Sequence, residues 1–386
     1  MKRANSVTFV LFALALATLV LSCSSIQKQS DSPRNHDSAR EASRLTLAFV
    51  GDIMSHEVNY SMRDYAMIYE RVTPALKSAD FCFGNLEVPV AENLPLSGYP
   101  RFNVHSPYVR AAIDAGFGVF SLANNHSNDQ GTVGIEGTLA CMKSLGPAVG
   151  FSGLRHFDGE PMREIILEKD GRAVVFLAVT EILNSHDRSA KRVYYVAPDR
   201  KSREAFLAEI RAIRARHPRA VFVLSIHLNE PEYVRVVSAS KRAWFRELKD
   251  SGVDIVWGSH PHVMQEWELV EAGPNNATRQ ALFMYSMGNF ISGQRFTINR
   301  EDPGAMREYT GDSVVMRVEI SQGSLAATPI PVTNYTDPAS GPVVRPFDES
   351  FVTTLSAPLR AYYETRYELM RAYLPLPPMP VRAILD

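Results

Sequence analysis

Six short apolar segments constrain the fold of this chain more than any other feature of its sequence. Each segment has the composition of a buried strand, and a side chain that can bind a metal ion or transfer a proton follows within a few residues of its end. In chain order, these side chains are Asp52, Glu87, Asn125 with His126, His227, His260 with His262, and Asn289. Helical patterns separate the segments, which favours a layered α/β sheet, and in such sheets ligands bind beyond the carboxyl ends of the strands. We therefore expect the six positions to form one site.

Apolar runs and turn residues locate the expected strands and helices. Strands are predicted at 45–50, 79–83, 119–123, 220–226, 253–257 and 281–285, with strand pairs at 165–167 and 173–180 and at 313–320 and 325–332. Helices are predicted within 60–77 and at 108–115, 135–145, 203–217, 236–251 and 348–374. We expect the tyrosines and arginines of the last helix to be exposed, and the proline-rich segment after it to form an extended wrap.

The histidine pair in the segment VDIVWGSHPHVMQ is the most informative of the six positions. His260 and His262 follow a buried strand and are separated by Pro261. In an extended strand, residues i and i+2 point to the same face, and in a loop Gly258 and Pro261 can direct both rings toward one point. Neutral imidazole is the commonest metal ligand in proteins, so the pair indicates a metal site. The alternative is two loop histidines that face solvent.

The other candidate ligands fit a metal site of mixed chemistry. Carboxylate or amide oxygens come from Asp52, Glu87 and Asn125, and further imidazole nitrogens come from His227 and the 260/262 pair. Oxygen and nitrogen ligands without thiolate suit Mn, Fe, Zn, Ni or Co, and they are not those of a structural zinc site. One carboxylate could bridge two ions, and two ions about 3.5–4 Å apart can activate water and stabilise a phosphate-like transition state.

Two further residues have possible roles beside these ligands. His126 directly follows a candidate ligand and could protonate a leaving group as a general acid. Asn289 either contributes to substrate binding or only orders the turn at Gly288.

Five motifs in order carry a resemblance to a known family. They are GDIM (51–54), GNLEVPV (84–90), NNHSNDQG (124–131), GSHPHV (258–263) and YSMGNFI (285–291). This set resembles the motifs of the CapA-type proteins of poly-gamma-glutamate capsule biosynthesis, which are similar to calcineurin-like metallophosphoesterases. The resemblance covers about 45–332 and implies a four-layer α/β/β/α sandwich at 44–335, followed by a C-terminal helix and wrap at 336–386.

The same resemblance implies roles for individual residues and a pair of divalent ions, Mn, Fe or Zn. The residues that match family positions are Asp52, Glu87, Asn125 with His126, His227, and His260 with His262. Two departures stand out. Met54 occupies the position where calcineurin-like enzymes carry a histidine, and His56 is the nearby residue that could substitute for it. The loop after His227 also differs from the family pattern and is about one residue longer.

The N-terminus has the layout of a targeting segment. Lys2 and Arg3 precede an almost unbroken apolar run at 7–21, which is short for a membrane-spanning helix. LVLSC resembles a bacterial lipobox, so 1–22 is expected to be a lipoprotein signal peptide and Cys23 the lipidated residue. Residues 23–43 are polar and predict a flexible tether. The alternatives are an ordinary signal peptide and an uncleaved anchor.

Composition narrows the class of protein further. The chain has 386 residues and a net charge of -1, so nothing favours a nucleic-acid partner. Apart from Cys23, the chain has two cysteines, Cys82 and Cys141, which lie in a predicted strand and a predicted helix. They could form one disulfide or remain two buried thiols.

Together these features predict an exported protein, anchored by lipid to a bacterial membrane and facing the periplasm or the cell surface. Its expected function is metal-dependent hydrolysis of a phosphoester or an envelope polymer, in cell-envelope or capsule polymer metabolism. The alternative is a non-hydrolytic subunit that binds or assembles poly-gamma-glutamate or another surface polymer. A membrane polymer synthase is the partner expected in that case.

Overall fold

The computed structural model describes residues 44–272, 279–321 and 324–382. The predicted signal peptide at 1–22, the lipidation site Cys23 and the tether at 23–43 lie outside the described residues. Within the described ranges, no helix combines the length and apolar character needed to cross a membrane.

The first sheet surrounds the N-terminal strand of the domain. Within the described residues it has eight strands, and β11 pairs with β1 beside the main path. The order along that path is β14 (Gly341–Pro346), β13 (Ser324–Asp337), β12 (Asp312–Ser321), β1 (Leu45–Ile53), β2 (Phe81–Leu86), β3 (Val119–Ser121) and β4 (Gly150–Ser152), with β11 at Asn289–Ile291. Strands β1 to β4 run parallel, and β12 to β14 are antiparallel.

The second sheet has a parallel centre and antiparallel edges. Its order is β5 (Ile165–Lys169), β6 (Arg172–Thr180), β7 (Val221–His227), β8 (Ile255–Ser259), β10 (Ala281–Met284) and β9 (Trp267–Val270). Strands β6, β7, β8 and β10 are parallel, so their carboxyl ends lie along one edge.

Helices connect most of the parallel strands of both sheets. The helices are α1 (Glu57–Tyr60), α2 (Thr73–Lys77), α3 (Ser106–Asp114), α4 (Gly131–Ser144), α5 (Arg200–Arg216), α6 (Ala239–Asp250), α7 (Glu349–Val352) and α8 (Ala357–Arg371). Single turns of 3₁₀ helix occur at Tyr65–Ile68, Arg188–Arg192 and Met306–Gly311. The helix predicted within 60–77 is only α2 and one of these turns, because Pro74 begins a new helix and cannot continue an earlier one.

Strand β6 shows how the second sheet separates two hydrophobic cores. Phe176 and its alternate neighbours face the core shared with the first sheet, whereas Leu177 and its alternate neighbours face a second core. This alternation follows from the two-residue period of a strand. Helices α5 and α6 cover the second core with Phe206, Ile210 and other side chains. The predicted mixed α/β sandwich is therefore confirmed.

An aromatic cluster connects the two sheets beneath the carboxyl ends of their strands. The indole Nε1 of Trp257 in β8 donates a hydrogen bond to the Val50 carbonyl in β1 at 3.0 Å. Phe49 stacks on Phe83 with 4.7 Å between ring centroids, and Phe83 contacts Phe176 of the second sheet at 5.3 Å. Buried aromatic pairs add directional packing to apolar burial. They fix the ends of β1, β2 and β8 relative to one another.

The C-terminal segment forms part of the same sandwich. Strand β13 continues past residue 335 to Asp337, and β14 pairs with it. The helix predicted at 348–374 is divided into α7 and α8, and Pro358 lies in the first turn of α8. The prediction that its tyrosines and arginines are exposed is wrong for Tyr363, Arg366 and Tyr367, which are buried.

A buried ion pair explains why Arg366 faces inward. Its guanidinium donates two hydrogen bonds to Asp312 Oδ2, at 2.5 and 3.0 Å. Arg295, also buried, binds the other oxygen of the same carboxylate at 2.6 Å. Asp312 belongs to β12, so this network connects α8 to the centre of the first sheet.

Replacement of Arg366 by methionine should destabilise the protein strongly, because it removes one of two cations around a buried carboxylate. We expect Arg366→Met to lower the free energy of unfolding by about 3 kcal/mol. Arg371→Met on the same helix, whose partly exposed side chain pairs with Glu368, should change it by less than about 1 kcal/mol. Denaturant unfolding of the full-length variants measures both values. Equal losses in the two variants would contradict this account of the helix.

Candidate metal centre

All the residues predicted to form the site come together at the carboxyl edge of the two sheets. Asp52 lies in β1, Glu87 directly follows β2, and His227 ends β7. None of the predicted side chains is more than 4% exposed. Contacts of 3.9 Å or less join seven of them, namely Asp52, Glu87, Asn125, His227, His260, His262 and Asn289.

Asn85 orients the two carboxylates of this cluster. Its Nδ2 donates to Asp52 Oδ1 at 2.9 Å and to Glu87 Oε2 at 3.1 Å. Asp52 Oδ2 and Glu87 Oε1 remain on the side of the histidines. Sequence reasoning missed Asn85, although it lies two residues before Glu87 in a strand and must therefore share its face.

Glu87 Oε1 is the atom that most clearly indicates a cation site. It is buried and has no hydrogen-bond partner among the described residues. Its nearest ring nitrogens are His227 Nε2 at 3.7 Å and His262 Nε2 at 3.9 Å. Burial, followed by repulsion from Asp52, raises the pKa of Glu87 well above its usual value. A buried carboxylate oxygen without a partner is costly, and a divalent cation would satisfy it.

A second group of donors lies on the His227 side of Glu87. His227 Nε2 lies 2.9 Å from Asn125 Oδ1 and 3.1 Å from His260 Nδ1. Burial is the main reason why the pKa of His227 is well below its usual value and that of His260 is lowered to about 3. Neutral rings with lone pairs and an amide oxygen that converge in this way are suitable metal ligands.

Outer contacts fix the orientation of these donors. The Ser259 hydroxyl lies 2.9 Å from His227 Nδ1, on the side of the ring opposite the cluster. Asn125 Nδ2 donates to Asn184 Oδ1 at 3.3 Å, which turns Asn125 Oδ1 toward His227. The Glu230 backbone hydrogen-bonds to the His260 ring. Such contacts set the tautomer and direction of metal ligands. Sequence reasoning did not identify Ser259 or Asn184, because neither carries a metal-binding group that separates it from other polar loop residues.

The remaining donors lie on the Asp52 side of Glu87. His262 Nδ1 lies 3.2 Å from Asp52 Oδ2 and 3.0 Å from Asn289 Oδ1. The Asn289 amide nitrogen donates to Ser292, Gln294 and the Thr310 carbonyl, at 3.0, 2.8 and 3.1 Å. These contacts place Asn289 inside the cluster and direct its oxygen toward His262.

Met54 adds no oxygen or nitrogen side-chain donor to the Asp52 side. It is buried, and its backbone carbonyl accepts a hydrogen bond from the Tyr108 hydroxyl at 2.6 Å. His56, the residue that could substitute, accepts a hydrogen bond from the Gly293 backbone N–H through Nδ1 at 3.1 Å. Neither the Met54 side chain nor His56 Nδ1 therefore adds a ligand to the Asp52 side.

The backbone around the histidine pair is strained. His260 and His262 have φ values of +106° and +61°, which residues with a Cβ rarely adopt. Each such conformation costs roughly 1–3 kcal/mol and is maintained only when the surrounding structure enforces it. Gly258, two residues before His260, lets its backbone pack closely against the backbone of Tyr285, because a Cβ at this position would collide with the Tyr285 carbonyl oxygen.

His126 lies beside Asn125, and its ring is contacted by Asp129, Phe102 and Asn184. The Nδ2 of Asn184 lies 3.2 Å from His126 Nδ1 and 3.5 Å from Nε2. His126 Nδ1 is also 2.7 Å from Asp129 Oδ2, and the His126 ring packs against the edge of Phe102 with 4.6 Å between centroids. The Asp129 carboxylate also accepts a hydrogen bond from the Phe102 N–H at 2.8 Å. Sequence reasoning missed Asp129, although its position three residues after His126 in the NNHSNDQG motif was a usable signal.

The geometry of the cluster defines at least one possible metal site. Asp52, Glu87 and His227 each offer a ligand atom, and these atoms lie within 4.8 Å of one another. All three residues are buried.

Elsewhere in the described chain, Cys82 and Cys141 are buried free thiols, which was one of the two alternatives expected.

Comparison with known proteins identifies the family. The family model described as bacterial capsule synthesis protein PGA_cap matches residues 46–294, and the chain belongs to this family. The chain is 28% identical over 348 residues to the capsule biosynthesis protein CapA of Bacillus anthracis, which covers 83% of this chain and 77% of that protein. It is 27% identical over 301 residues to the PGA biosynthesis protein CapA of Bacillus subtilis (strain 168), covering 75% and 74%. The predicted resemblance to CapA-type proteins is confirmed.

Among solved structures, a hypothetical protein from Thermus thermophilus is similar to the chain. The sequence identity is 16% and the TM-score 0.43, over 74% of this chain and 98% of that one.

Glu87→Gln should stabilise the protein when no metal is present, because it removes a carboxyl group whose ionisation is disfavoured by burial and by Asp52. The raised pKa of Glu87 means that the folded state of the wild type loses stability as pH rises above about 4.5, the value for an unperturbed Glu. We therefore expect the variant to be more stable than the wild type at pH 8 by about 1–3 kcal/mol, and the difference to shrink toward pH 5.

Denaturant unfolding in the presence of a chelator, at pH 5 and pH 8, measures this difference. Glu209→Gln, at a partly exposed side chain, is the matched control and should show no such change. A Glu87 variant that is less stable than the wild type at pH 8 without metal would refute the account of Glu87 Oε1.

Proposed function

We propose that this chain is a metal-dependent hydrolase with a centre for two divalent ions, Mn, Fe or Zn, that acts on a phosphoester-like bond. The observation that carries the proposal is the buried, unpartnered Glu87 Oε1 between two groups of ligand atoms. The side chains suit these divalent ions chemically, since they offer carboxylate, amide and imidazole ligands and no thiolate.

Glu87 would be the shared ligand of the two ions. One ion would be held by Glu87 with Asn125, His227 and His260, and the other by Glu87 with Asp52, His262 and Asn289. When bound, the two ions would supply Lewis acidity and lower the pKa of a bound water.

His126 is the proposed general acid. The Asp129 carboxylate lies 2.7 Å from its Nδ1, which orients the ring. The opposite nitrogen, Nε2, is then the one that would give a proton to the leaving group. Phe102 restricts the ring from its other side, so that His126 would present this nitrogen in one direction.

The cellular setting of the proposal comes from the relatives and from the leader sequence. The relatives are named as capsule or PGA biosynthesis proteins, and the substrate proposed for this chain is accordingly an envelope polymer or a phosphoester in its metabolism. The chain would be exported and attached to a membrane by lipid on Cys23, facing the periplasm or the cell surface. A membrane polymer synthase is the proposed partner.

A hydrolysis assay combined with metal analysis tests the proposal. We expect the full-length protein with Mn²⁺ to hydrolyse p-nitrophenyl phosphate or its diester. Asp52→Ala should lower the rate by more than about 100-fold, since even outer contacts of metal ligands contribute about 10–100-fold. The protein should carry close to two ions per chain, and the double variant His260→Ala/His262→Ala should lose them.

His156→Ala, at an exposed histidine outside the cluster, is the control and should match the wild type in both readouts. Equal rates for the wild type and Asp52→Ala, or unchanged metal content in the double variant, would end the proposal.

The second candidate function is a non-hydrolytic role in binding or assembling poly-gamma-glutamate or another surface polymer. The absence of an oxygen or nitrogen donor at Met54 favours it, because the Asp52 side would hold its ion less firmly. The same assay separates the two functions. Metal binding that depends on His260 and His262, without hydrolysis above the Asp52→Ala background, would select the assembly role.

A further inference from the structure

A cleft beside the metal centre has no assigned role. Its volume is about 540 Å³, and it opens between the α1 region and the segments that follow β11. Its lining includes His56, Glu57, Tyr99, Gln294, Phe296 and Arg307. Tyr99 is 76% exposed and Phe296 39%, so aromatic surface is accessible along the cleft.

Two short chains of contacts connect this cleft to the proposed metal ligands and to His126, the proposed general acid. Gln294 Oε1 accepts a hydrogen bond from Asn289 at 2.8 Å, and Asn289 in turn contacts His262. On the other wall, the His56 ring packs against Phe102 at 5.2 Å, and Phe102 packs against His126. A group bound in the cleft would therefore lie next to the reacting centre.

His56 presents a hydrogen-bond donor in the cleft. Burial, followed by repulsion from His262, His126 and Arg307, lowers the pKa of His56 to about 4, so the ring is neutral at physiological pH. Its Nδ1 accepts a hydrogen bond from the Gly293 N–H at 3.1 Å. A neutral ring that accepts through Nδ1 carries its proton on Nε2. This assignment excludes Nε2 as a metal ligand and makes it a donor, and no partner for it occurs among the described residues.

Arg307 supplies positive charge to the same cleft. Its side chain is exposed, and in the described ranges no carboxylate forms an ion pair with it. Glu57, the acid that lines the cleft, is also exposed and unpaired with Arg307. An arginine can bind a carboxylate or phosphate with two parallel hydrogen bonds, which makes it selective for planar or tetrahedral oxyanions.

We propose that His56 and Arg307 form a subsite that binds an anionic group of the substrate, a carboxylate or a phosphate, next to the bond at the metal centre. The inference rests on the proposed function, since it assumes that the reacting bond lies at that centre. Arg307 would provide charge and geometry, and His56 Nε2 would donate a directional hydrogen bond to the same group. The exposed rings of Tyr99 and Phe296 would contact the chain that carries the anion.

Anion titration of the full-length protein tests the subsite without any need for turnover. The probes are inorganic phosphate and glutarate, measured separately by isothermal titration calorimetry in metal-free and Mn²⁺-loaded protein. We expect the wild type to bind at least one probe, and Arg307→Gln to weaken that binding by at least about tenfold, as expected for the loss of a charge-assisted pair. Arg307→Lys should recover part of the affinity, because lysine keeps the positive charge but lacks the paired N–H donors of the guanidinium.

Two variants of His56 distinguish the contribution of its Nε2–H donor from that of the packing of its ring. His56→Phe should weaken binding, whereas His56→Gln should retain most of it, because a carboxamide can accept from Gly293 and donate to the anion at once. Arg200→Gln, at a side chain that is 92% exposed on α5, is the matched control and should bind like the wild type.

The preferred probe identifies the source of the anion: tighter phosphate binding indicates a phosphate-bearing substrate, and tighter glutarate binding a carboxylate-bearing one. Failure of the wild type to bind either probe, or equal affinities in the wild type and Arg307→Gln, would overturn the subsite. Because the readout is binding, a protein that binds anions through Arg307 but hydrolyses nothing would refute the proposed hydrolysis and leave the subsite intact.

Discussion

The single unpartnered oxygen of Glu87 is the constraint on which the structure of this site depends. Its other oxygen is fixed by Asn85, so the carboxylate cannot turn away from His227 and His262. A buried charge without a partner destabilises a fold, and natural proteins retain one where a ligand compensates for it. The donors on both sides of Glu87 direct their free atoms inward, while their other atoms are hydrogen-bonded outward.

The fold holds the backbone of the histidine pair in a conformation that is unfavourable in isolation. The positive φ values of His260 and His262 are costly, and they occur directly after the buried strand β8. The hydrogen bond from Trp257 to Val50 and the stacked pair of Phe49 and Phe83 lie beneath the same strand ends. The two sheets therefore act as a scaffold that holds the loops in a conformation they would not adopt alone.

The sequence predicted the parts of the site that depend on strand ends. Apolar runs located β1, β7 and β8, and the polar residue after each run had to lie at the same edge. It could not predict the role of Asn184, since this depends on which loop lies opposite Asn125. Arg366 was expected to be exposed because its partner, Asp312, is 54 residues away and no local pattern indicates that pair. Strand β14 was also missed, because its glycine and two prolines are residues typical of a loop.

Anomalous scattering from crystals grown with Mn²⁺ tests the central claim most directly. We expect manganese beside Glu87 Oε1, with one ion on the side of Asn125, His227 and His260 and a second on the side of Asp52 and His262. Crystals in which Glu87 Oε1 stays without a cation, while manganese binds elsewhere or not at all, would contradict this claim.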